Sequence, residues 1–200
     1  LVHIIDEGID TGPVISYKAT IFPNSCKTPL DFEEDAQLKF LKFYKQFIIR
    51  LKGKFEFELK HQLDYMGRYN PRLSSEHNGY INWSWDAYEL YNFINAFDEP
   101  YIGSGTYLNR EGFGKLYIKS VHLHAGDSSN HPFMAGLVSR HDKDWIVVCT
   151  ATKYVLLVEK VINDKGENIL NQIKVGDRFY TPNKKLENSL SKRVIYTPKG

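Results

Sequence analysis

The chain has 200 residues, of which 42% are hydrophobic and 25% charged, and its formal net charge is +2. An aromatic content of 14% excludes a disordered chain, and so small a net charge does not by itself indicate a nucleic-acid-binding protein. No apolar run is long enough to span a bilayer, and the two isolated cysteines, Cys26 and Cys149, predict a reducing, cytoplasmic environment rather than a disulfide framework.

Residues 1–62 are predicted to form a strand, a loop, a second strand and a helix. The strands are expected at Leu1–Ile5 and Pro13–Phe22, with the turn-rich loop Asp6–Gly12 between them. Thr28 and Pro29 give a typical helix start, and Gly53 a typical stop. The helix is strongly apolar and needs strands to cover it. We therefore expect this segment to be the C-terminal part of a longer, Rossmann-like α/β domain.

The rest of the chain predicts a second unit of different architecture. Residues 63–78 are polar and irregular, as in a linker, and residues 183–200 form a basic, polar tail. Residues 79–182 are expected to begin with a helix near 85–97, capped by Ser84. Five strands are predicted after it, at 105–108, 115–122, 134–139, 145–150 and 154–161. This order predicts a small, partly open barrel of the oligonucleotide-binding type with one helix, and an α+β fold overall.

The segment V-H-I-I-D-E-G-I-D-T-G-P-V-I is the most informative stretch. Its loop holds three acids and two glycines within seven residues. Glycines allow close backbone approach to a ligand, and a carboxylate beside a strand end is well placed for chemistry. The same composition is also typical of a solvated β-connection whose acids have no function. Residue pattern alone leaves both interpretations open.

This segment resembles the pattern VHxVDxGxDTGPII of glycinamide-ribonucleotide and methionyl-tRNA formyltransferases. The resemblance implies that Asp10 is the catalytic aspartate of a formyltransferase that uses 10-formyltetrahydrofolate as the formyl donor. It also implies that the folate pterin ring is bound by the loop residues Asp6, Glu7, Gly8, Ile9, Thr11 and Gly12. His3 is either a support for Asp10 or a strand histidine that the backbone satisfies, and the second interpretation is favoured.

The family chemistry that the resemblance implies is transfer of the formyl group from N10 of the folate to a primary amine. An Asn and a His stabilise the oxyanion and move the proton, while the Asp orients and charges that His. The Asn-x-His motif of the family would lie upstream of Leu1. This chain is therefore expected to be inactive alone.

A second resemblance covers the start of the family's C-terminal domain, at G-Y-I-N-W-S-W-D-A-Y-E-L-Y-N-F-I-N-A-F-D-E-P-Y-I-G. Trp83, Ala87, Leu90 and Ile94 are predicted to be core residues. Three tyrosines, Tyr101, Tyr107 and Tyr117, are either exposed stacking groups or part of the barrel core. The repeat H-L-H at 122–124 places two histidines on one strand face. With no third ligand of clear spacing, no metal site is predicted.

The acceptor amine is the least determined part of the prediction. The long C-terminal segment departs from tRNA-specific enzymes, which favours a nucleotide-linked amino sugar over initiator methionyl-tRNA. Its cations, Lys184, Lys185, Lys192, Arg193 and Lys199, are typical of a solvated surface unless they cluster on one face. A third alternative is a non-catalytic binding module. No membrane partner is expected, and a homodimer is left open.

Overall fold

The computed structural model describes residues 1–8, 10–63, 70–125 and 128–192. The chain divides into two compact units: unit 1 holds Leu1–Cys26 and Asp31–Asn70, and unit 2 holds Lys27–Leu30 and Pro71–Gly200. The break at residue 70 falls within the predicted linker 63–78. The exact limits of that linker stay a prediction, since 64–69 lie outside the described residues. No helix in the described part of the chain is long and apolar enough to cross a membrane.

Unit 1 contains two short antiparallel strands, β1 (Val2–His3) and β2 (Val14–Ser16). Most of α1 (Pro29–Lys52) also belongs to it. The helix begins at the predicted Pro29 and ends one residue before Gly53. Both strands are shorter than predicted, and the stretch from Tyr17 to Phe22, predicted to continue β2, has no ladder partner.

Helix α1 leaves much of its apolar surface uncovered. Phe47 is its one buried residue, and its ring packs 5.3 Å from that of Phe57. Eight other large apolar side chains of the helix are exposed: Leu30, Phe32, Leu38, Phe40, Leu41, Tyr44, Ile49 and Leu51. A helix of a folded domain normally buries such a surface against a neighbouring element. The described part of unit 1 does not supply that element.

Unit 2 is built on a six-stranded antiparallel sheet with the order β5-β6-β7-β4-β3-β8. The elements in chain order are α2 (Ala87–Ala96), β3 (Ser104–Leu108), β4 (Leu116–Ala125), β5 (Val138–His141), β6 (Ile146–Cys149), β7 (Tyr154–Ile162), β8 (Phe179–Tyr180) and α3 (Asn183–Ser191). The sheet curls, and backbone hydrogen bonds join its two ends. Val138 N–H donates to Asp177 O at 2.8 Å, and Phe179 N–H donates to Gly136 O at 2.8 Å. The resulting mixture of helix and curled sheet agrees with the predicted α+β class.

The core of unit 2 lies inside this curled sheet and under α2. The predicted core residues Trp83, Ala87, Leu90 and Ile94 are all buried, which confirms that prediction. The Trp83 ring stacks 5.8 Å from the Phe179 ring, and its Nε1–H donates to Thr106 Oγ1 at 3.0 Å. Tyr107 and Tyr117 are half-buried and lie outside the core, and Tyr101 is exposed.

Two local predictions for unit 2 are wrong. Ser84 does not cap α2: the cap is Asp86, whose carboxylate accepts from the N–H groups of Tyr88 and Glu89 while Glu89 accepts from Asp86 N–H. This reciprocal capping box satisfies more backbone donors than a serine hydroxyl would. The strand predicted at 134–139 instead begins at Val138. A 3₁₀ turn occupies Pro132–Met134, and Gly136 turns the chain with a φ of 80°.

Candidate functional site

The loop between β1 and β2 is held in shape by a side chain from a distant part of unit 1. The Gln62 amide Nε2 donates to two carbonyl oxygens of the loop, Asp10 O at 2.7 Å and Gly12 O at 2.8 Å. Val14 and Lys60 exchange two backbone hydrogen bonds of 2.8 and 3.0 Å, which bring the segment carrying Gln62 beside β2. The loop therefore has a fixed conformation at its C-terminal end.

Asp6 organises the other end of the loop. Its Oδ1 accepts from Gly8 N–H at 3.2 Å and from the Thr11 hydroxyl at 2.6 Å. The structure thus brings Asp6, Gly8 and Thr11, all predicted pterin-binding residues, into one hydrogen-bonded turn. Glu7 is exposed beside them. Ile9, the remaining predicted residue of the loop interior, lies outside the described residues.

Gly12 has a steric reason to be glycine. A Cβ at this position would lie 1.8 Å from Ile4 O, a contact that no side chain can make. Ile4 N–H donates to Pro13 O at 2.9 Å, so β1 and the end of the loop are in direct backbone contact here. The absence of a side chain at Gly12 allows the loop to close against β1.

Asp10 adopts a backbone conformation that presents its carboxylate to solvent. Its φ is 57°, in the left-handed region that few non-glycine residues enter, although Asp does so more readily than most. The side chain is 84% exposed. The Gln62 hydrogen bond to the Asp10 carbonyl supports this conformation. The loop therefore fixes the position of the Asp10 backbone and leaves its carboxylate open to other groups.

The basic side chain of His3 faces the Asp10 carboxylate. His3 Nε2 lies 3.4 Å from Asp10 Oδ1, and the other ring nitrogen, Nδ1, lies 2.9 Å from Ile4 O. His3 was expected to contact either the backbone, the favoured interpretation, or Asp10. The structure has both contacts, because one ring nitrogen faces Ile4 O and the other faces the Asp10 carboxylate.

Gln62 is the residue of this site that the sequence did not reveal. It lies 50 residues after Gly12 in the chain and outside the recognisable loop pattern. No motif or spacing marks it, and only the β-bridge between Val14 and Lys60 places its amide at the loop.

The other histidines and the lysines considered in the sequence analysis belong to unit 2. His122 Nε2 lies 3.2 Å from Glu159 Oε1, and His124 Nδ1 lies 2.8 Å from Ala125 O. No group of three potential metal ligands occurs among the residues that the structure describes. Lys184 and Lys185 are exposed on α3, and Arg193 and Lys199 of the basic tail lie beyond the described range.

Comparison with known families gives one match. A family model described as the C-terminal domain of formyl transferases matches residues 74–173. The matched segment begins before α2 and ends one residue after the 3₁₀ turn Leu170–Gln172. It therefore covers most of unit 2. No curated protein matches the chain.

Proposed function

Since the chain belongs to the formyl transferase family and carries that family's C-terminal domain, we propose that the longer protein moves a formyl group from 10-formyltetrahydrofolate to a primary amine. The observation that carries this proposal within unit 1 is the loop geometry: Asp10 is displayed from a loop that Asp6 and Gln62 hold from both ends. A carboxylate displayed in this way can charge and orient a histidine that serves as general acid in acyl transfer.

The residues of the loop suit the pterin end of a folate. A pterin presents amino and ring N–H donors along one edge, and the loop offers oxygen acceptors. Asp6 and Glu7 contribute carboxylates that are exposed. On this basis we assign the loop residues 6–9, 11 and 12 to folate binding. Asp10 is assigned to catalysis instead.

The reaction needs four events around the formyl carbon. The neutral amine attacks and forms a new C–N bond, a tetrahedral oxyanion develops, the attacking nitrogen loses a proton, and the bond to N10 of the folate breaks as N10 receives a proton. The role proposed for Asp10 is to orient and charge a histidine supplied by the upstream part of the domain. An imidazolium beside a carboxylate is stabilised, and it can give its proton at the step where charge develops.

The exposed apolar surface of α1 supports the proposal that this chain is part of a larger catalytic domain. Side chains such as Leu38, Phe40 and Ile49 would lie against sheet strands in an intact α/β domain. The experiment is to compare this chain with the same chain extended by its upstream segment. We expect formyl transfer only from the extended protein. Turnover by the chain alone would overturn the placement of the catalytic Asn and His upstream.

For the acceptor we propose a nucleotide-linked amino sugar, with methionyl-tRNA as the alternative. A parallel assay of the extended protein with both acceptors decides between them. A variant that replaces Lys184, Lys185, Lys192 and Arg193 with Gln sharpens the test. If tRNA is the acceptor, this variant weakens binding and flattens its salt dependence, because fewer phosphates are neutralised. With an amino sugar as acceptor, the variant leaves transfer unchanged.

A control variant replaces four exposed lysines elsewhere in unit 2, at Lys143, Lys160, Lys165 and Lys174. It changes the charge by the same amount and leaves α3 intact. An equal loss in both variants with every acceptor would indicate a folding defect. If the extended protein transfers formyl to neither acceptor, the non-catalytic binding module is the better description.

A further inference from the structure

Four tyrosines share the outer face of the unit 2 sheet at β3, β4 and β8. Tyr107 on β3 pairs with Tyr180 on β8. Tyr117 on β4 pairs with Gly105 on β3, and Tyr80 forms a β-bridge to the same glycine. Paired residues, and residues two apart on one strand, point to the same side of a sheet. We call these four tyrosines the tyrosine face.

The half-buried side chain of Lys115 lies across this face, over Gly105. A Cβ at Gly105 would lie 2.6 Å from Lys115 Cε and 3.3 Å from Nζ, so the space that the lysine occupies exists because residue 105 has no side chain. Nζ lies 4.3 Å from the centroid of the Tyr80 ring and 4.8 Å from that of Tyr117. The amine is therefore held between two aromatic rings.

The Lys115 amine has weak polar partners. Nζ donates to Glu76 O at a long 3.4 Å. No carboxylate of the described ranges forms an ion pair with it. Burial raises the pKa of Tyr80 to about 12 and also raises the pKa of Tyr117, so both phenols are neutral near neutral pH. The amine thus lacks the anionic partner that a half-buried cation usually has.

The charges that act on this cluster come from three segments. Glu76 precedes the tyrosine face in the chain, Lys185 lies on α3, and Asp164, after β7, acts on Tyr117. Burial lowers the pKa of the Lys115 amine, Lys185 acts in the same direction, and Glu76 opposes them. The two ring faces also favour the ammonium form. A lysine that is partly desolvated and lies near a second cation is the usual form of a nucleophilic lysine.

We propose that Lys115 is a modification site that reacts directly with acyl phosphates. The neutral Nζ attacks the acyl carbon and forms a C–N bond. The C–O bond to the phosphate breaks, the phosphate leaves with the electron pair of that bond, and the nitrogen loses a proton to water. Lys185 places a positive charge near the anionic donor. The product is a neutral amide, so the reaction removes the positive charge from the tyrosine face.

The test is acetylation of the whole chain by acetyl phosphate, followed lysine by lysine through peptide mass spectrometry. The internal reference is Lys165, which is exposed. At about pH 7.5 we expect Lys115 to react at least about threefold faster than Lys165, since a lowered pKa leaves more of its amine neutral. The ratio should fall as pH approaches about 10.4, the ordinary lysine value, because the Lys165 amine then also becomes neutral.

Two variants change the surroundings of Lys115 in opposite directions. Gly105→Ala displaces the lysine from the rings into water and should reduce its rate to that of Lys165. Glu76→Gln removes the carboxylate that favours the ammonium form and should raise the rate. Asp142→Asn, at an exposed acid between β5 and β6, is the matched control for Glu76→Gln and should have no effect. Circular dichroism and a melting curve show whether each variant is folded.

The proposal is overturned if Lys115 reacts no faster than Lys165 near neutral pH. A slower reaction would show that the tyrosine rings hold the amine as ammonium. It is also overturned if Glu76→Gln and Asp142→Asn react alike, because the surroundings would then not set the rate. This comparison decides the matter even if Gly105→Ala does not fold. Formyl transfer does not enter the test, since Lys115 belongs to unit 2 and no upstream segment is needed.

Discussion

His3 Nε2 lies 3.4 Å from Asp10 Oδ1, across the loop that joins β1 to β2. The imidazole is held from its other side by Ile4 O, 2.9 Å from Nδ1. His3 therefore faces the exposed Asp10 carboxylate without itself being part of the loop. Two side chains therefore contact different parts of Asp10. Gln62 donates to its backbone carbonyl, and His3 faces its carboxylate.

The first prediction concerns His3 as a positioning residue. His3→Phe keeps the ring in the strand but removes both nitrogen contacts, so the Asp10 carboxylate gains rotational freedom. In the extended protein we expect kcat to fall by about two- to fivefold, because a largely exposed contact of about 0.5–1 kcal/mol with the Asp10 carboxylate is lost. KM for the folate should change little. Steady-state kinetics with both substrates measure this split, and an unchanged kcat would assign His3 to the backbone alone.

The second prediction concerns Gln62. Gln62→Met keeps the length of the side chain and removes the amide that donates to Asp10 O and Gly12 O. The two carbonyl groups then lose their donor, and the loop should become more mobile. We expect a rise in KM for the folate together with a lower kcat, since loop residues serve both steps. The matched control is Gln37→Met, an exposed glutamine of α1 whose amide donates to Glu33.

A third prediction tests the buried charge cluster that ties the segment after α2 to β4. Lys119 Nζ lies 2.8 Å from Glu99 Oε1 and 3.6 Å from the buried Asp98 Oδ1, and it donates to Tyr101 O at 2.6 Å. Lys119→Met leaves Asp98 buried without its cation, which should lower the free energy of unfolding by about 3 kcal/mol. Denaturant unfolding measures the change. Lys160→Met, at the exposed cross-strand neighbour of Lys119, should be nearly neutral.

The pair of Lys119 and Glu99 also predicts a pH dependence. The hydrogen bond from Lys119 lowers the pKa of Glu99 below its ordinary value. A lowered folded pKa stabilises the fold above the unfolded pKa, and this contribution is lost as pH falls through the folded pKa. Near neutral pH we expect the free energy of unfolding of wild type to exceed that of Glu99→Gln by about 0.5 kcal/mol. The difference is small because the Glu99 side chain is half exposed and solvent screens the pair.

That difference should vanish below the folded pKa of Glu99, in the acidic range under about pH 4.3, the ordinary glutamate value. Denaturant unfolding of both proteins across that range provides the measurement. A stability difference that persists at low pH would show that Glu99 acts through packing and not through its charge.

The sequence identified the features that depend on local pattern. Pro29 and Gly53 bound α1 as expected because helix starts and stops are set by nearby backbone chemistry. The core positions Leu90 and Ile94 follow from helical spacing in the same way. The cap of α2 was readable from the sequence but was missed: Asp86 is followed three residues later by Glu89, the spacing of a capping box, whereas Ser84 has Ala87 at that distance.

Features that depend on contacts between distant segments were not predictable. Strand β8 has two residues and therefore no periodicity, and it forms only because Leu108 and Phe179 pair across the sheet. Gln62 reaches the loop through a β-bridge that no motif announces.

The central claim is that Asp10 is the catalytic carboxylate of a formyltransferase. The variant Asp10→Asn keeps the size of the side chain and one acceptor oxygen, so the turn should remain folded, but the negative charge is lost. The catalytic histidine that we propose for the upstream part of the domain then loses the carboxylate that favours its protonated form. Asp6→Asn is the comparison variant: the amide retains an oxygen that can accept from Gly8 and Thr11, so a loss of folate binding should raise KM for the folate and leave kcat nearly unchanged.

The deciding measurement is therefore kcat for formyl transfer by the extended protein, for wild type, Asp10→Asn and Asp6→Asn. Each variant is first shown to have the melting temperature of wild type. The account predicts that kcat falls by about a hundredfold or more for Asp10→Asn, as expected when one preorganised electrostatic contribution of about 3–4 kcal/mol is removed. It predicts a far smaller effect for Asp6→Asn. Near wild-type kcat in Asp10→Asn, with the fold intact, would contradict the catalytic assignment.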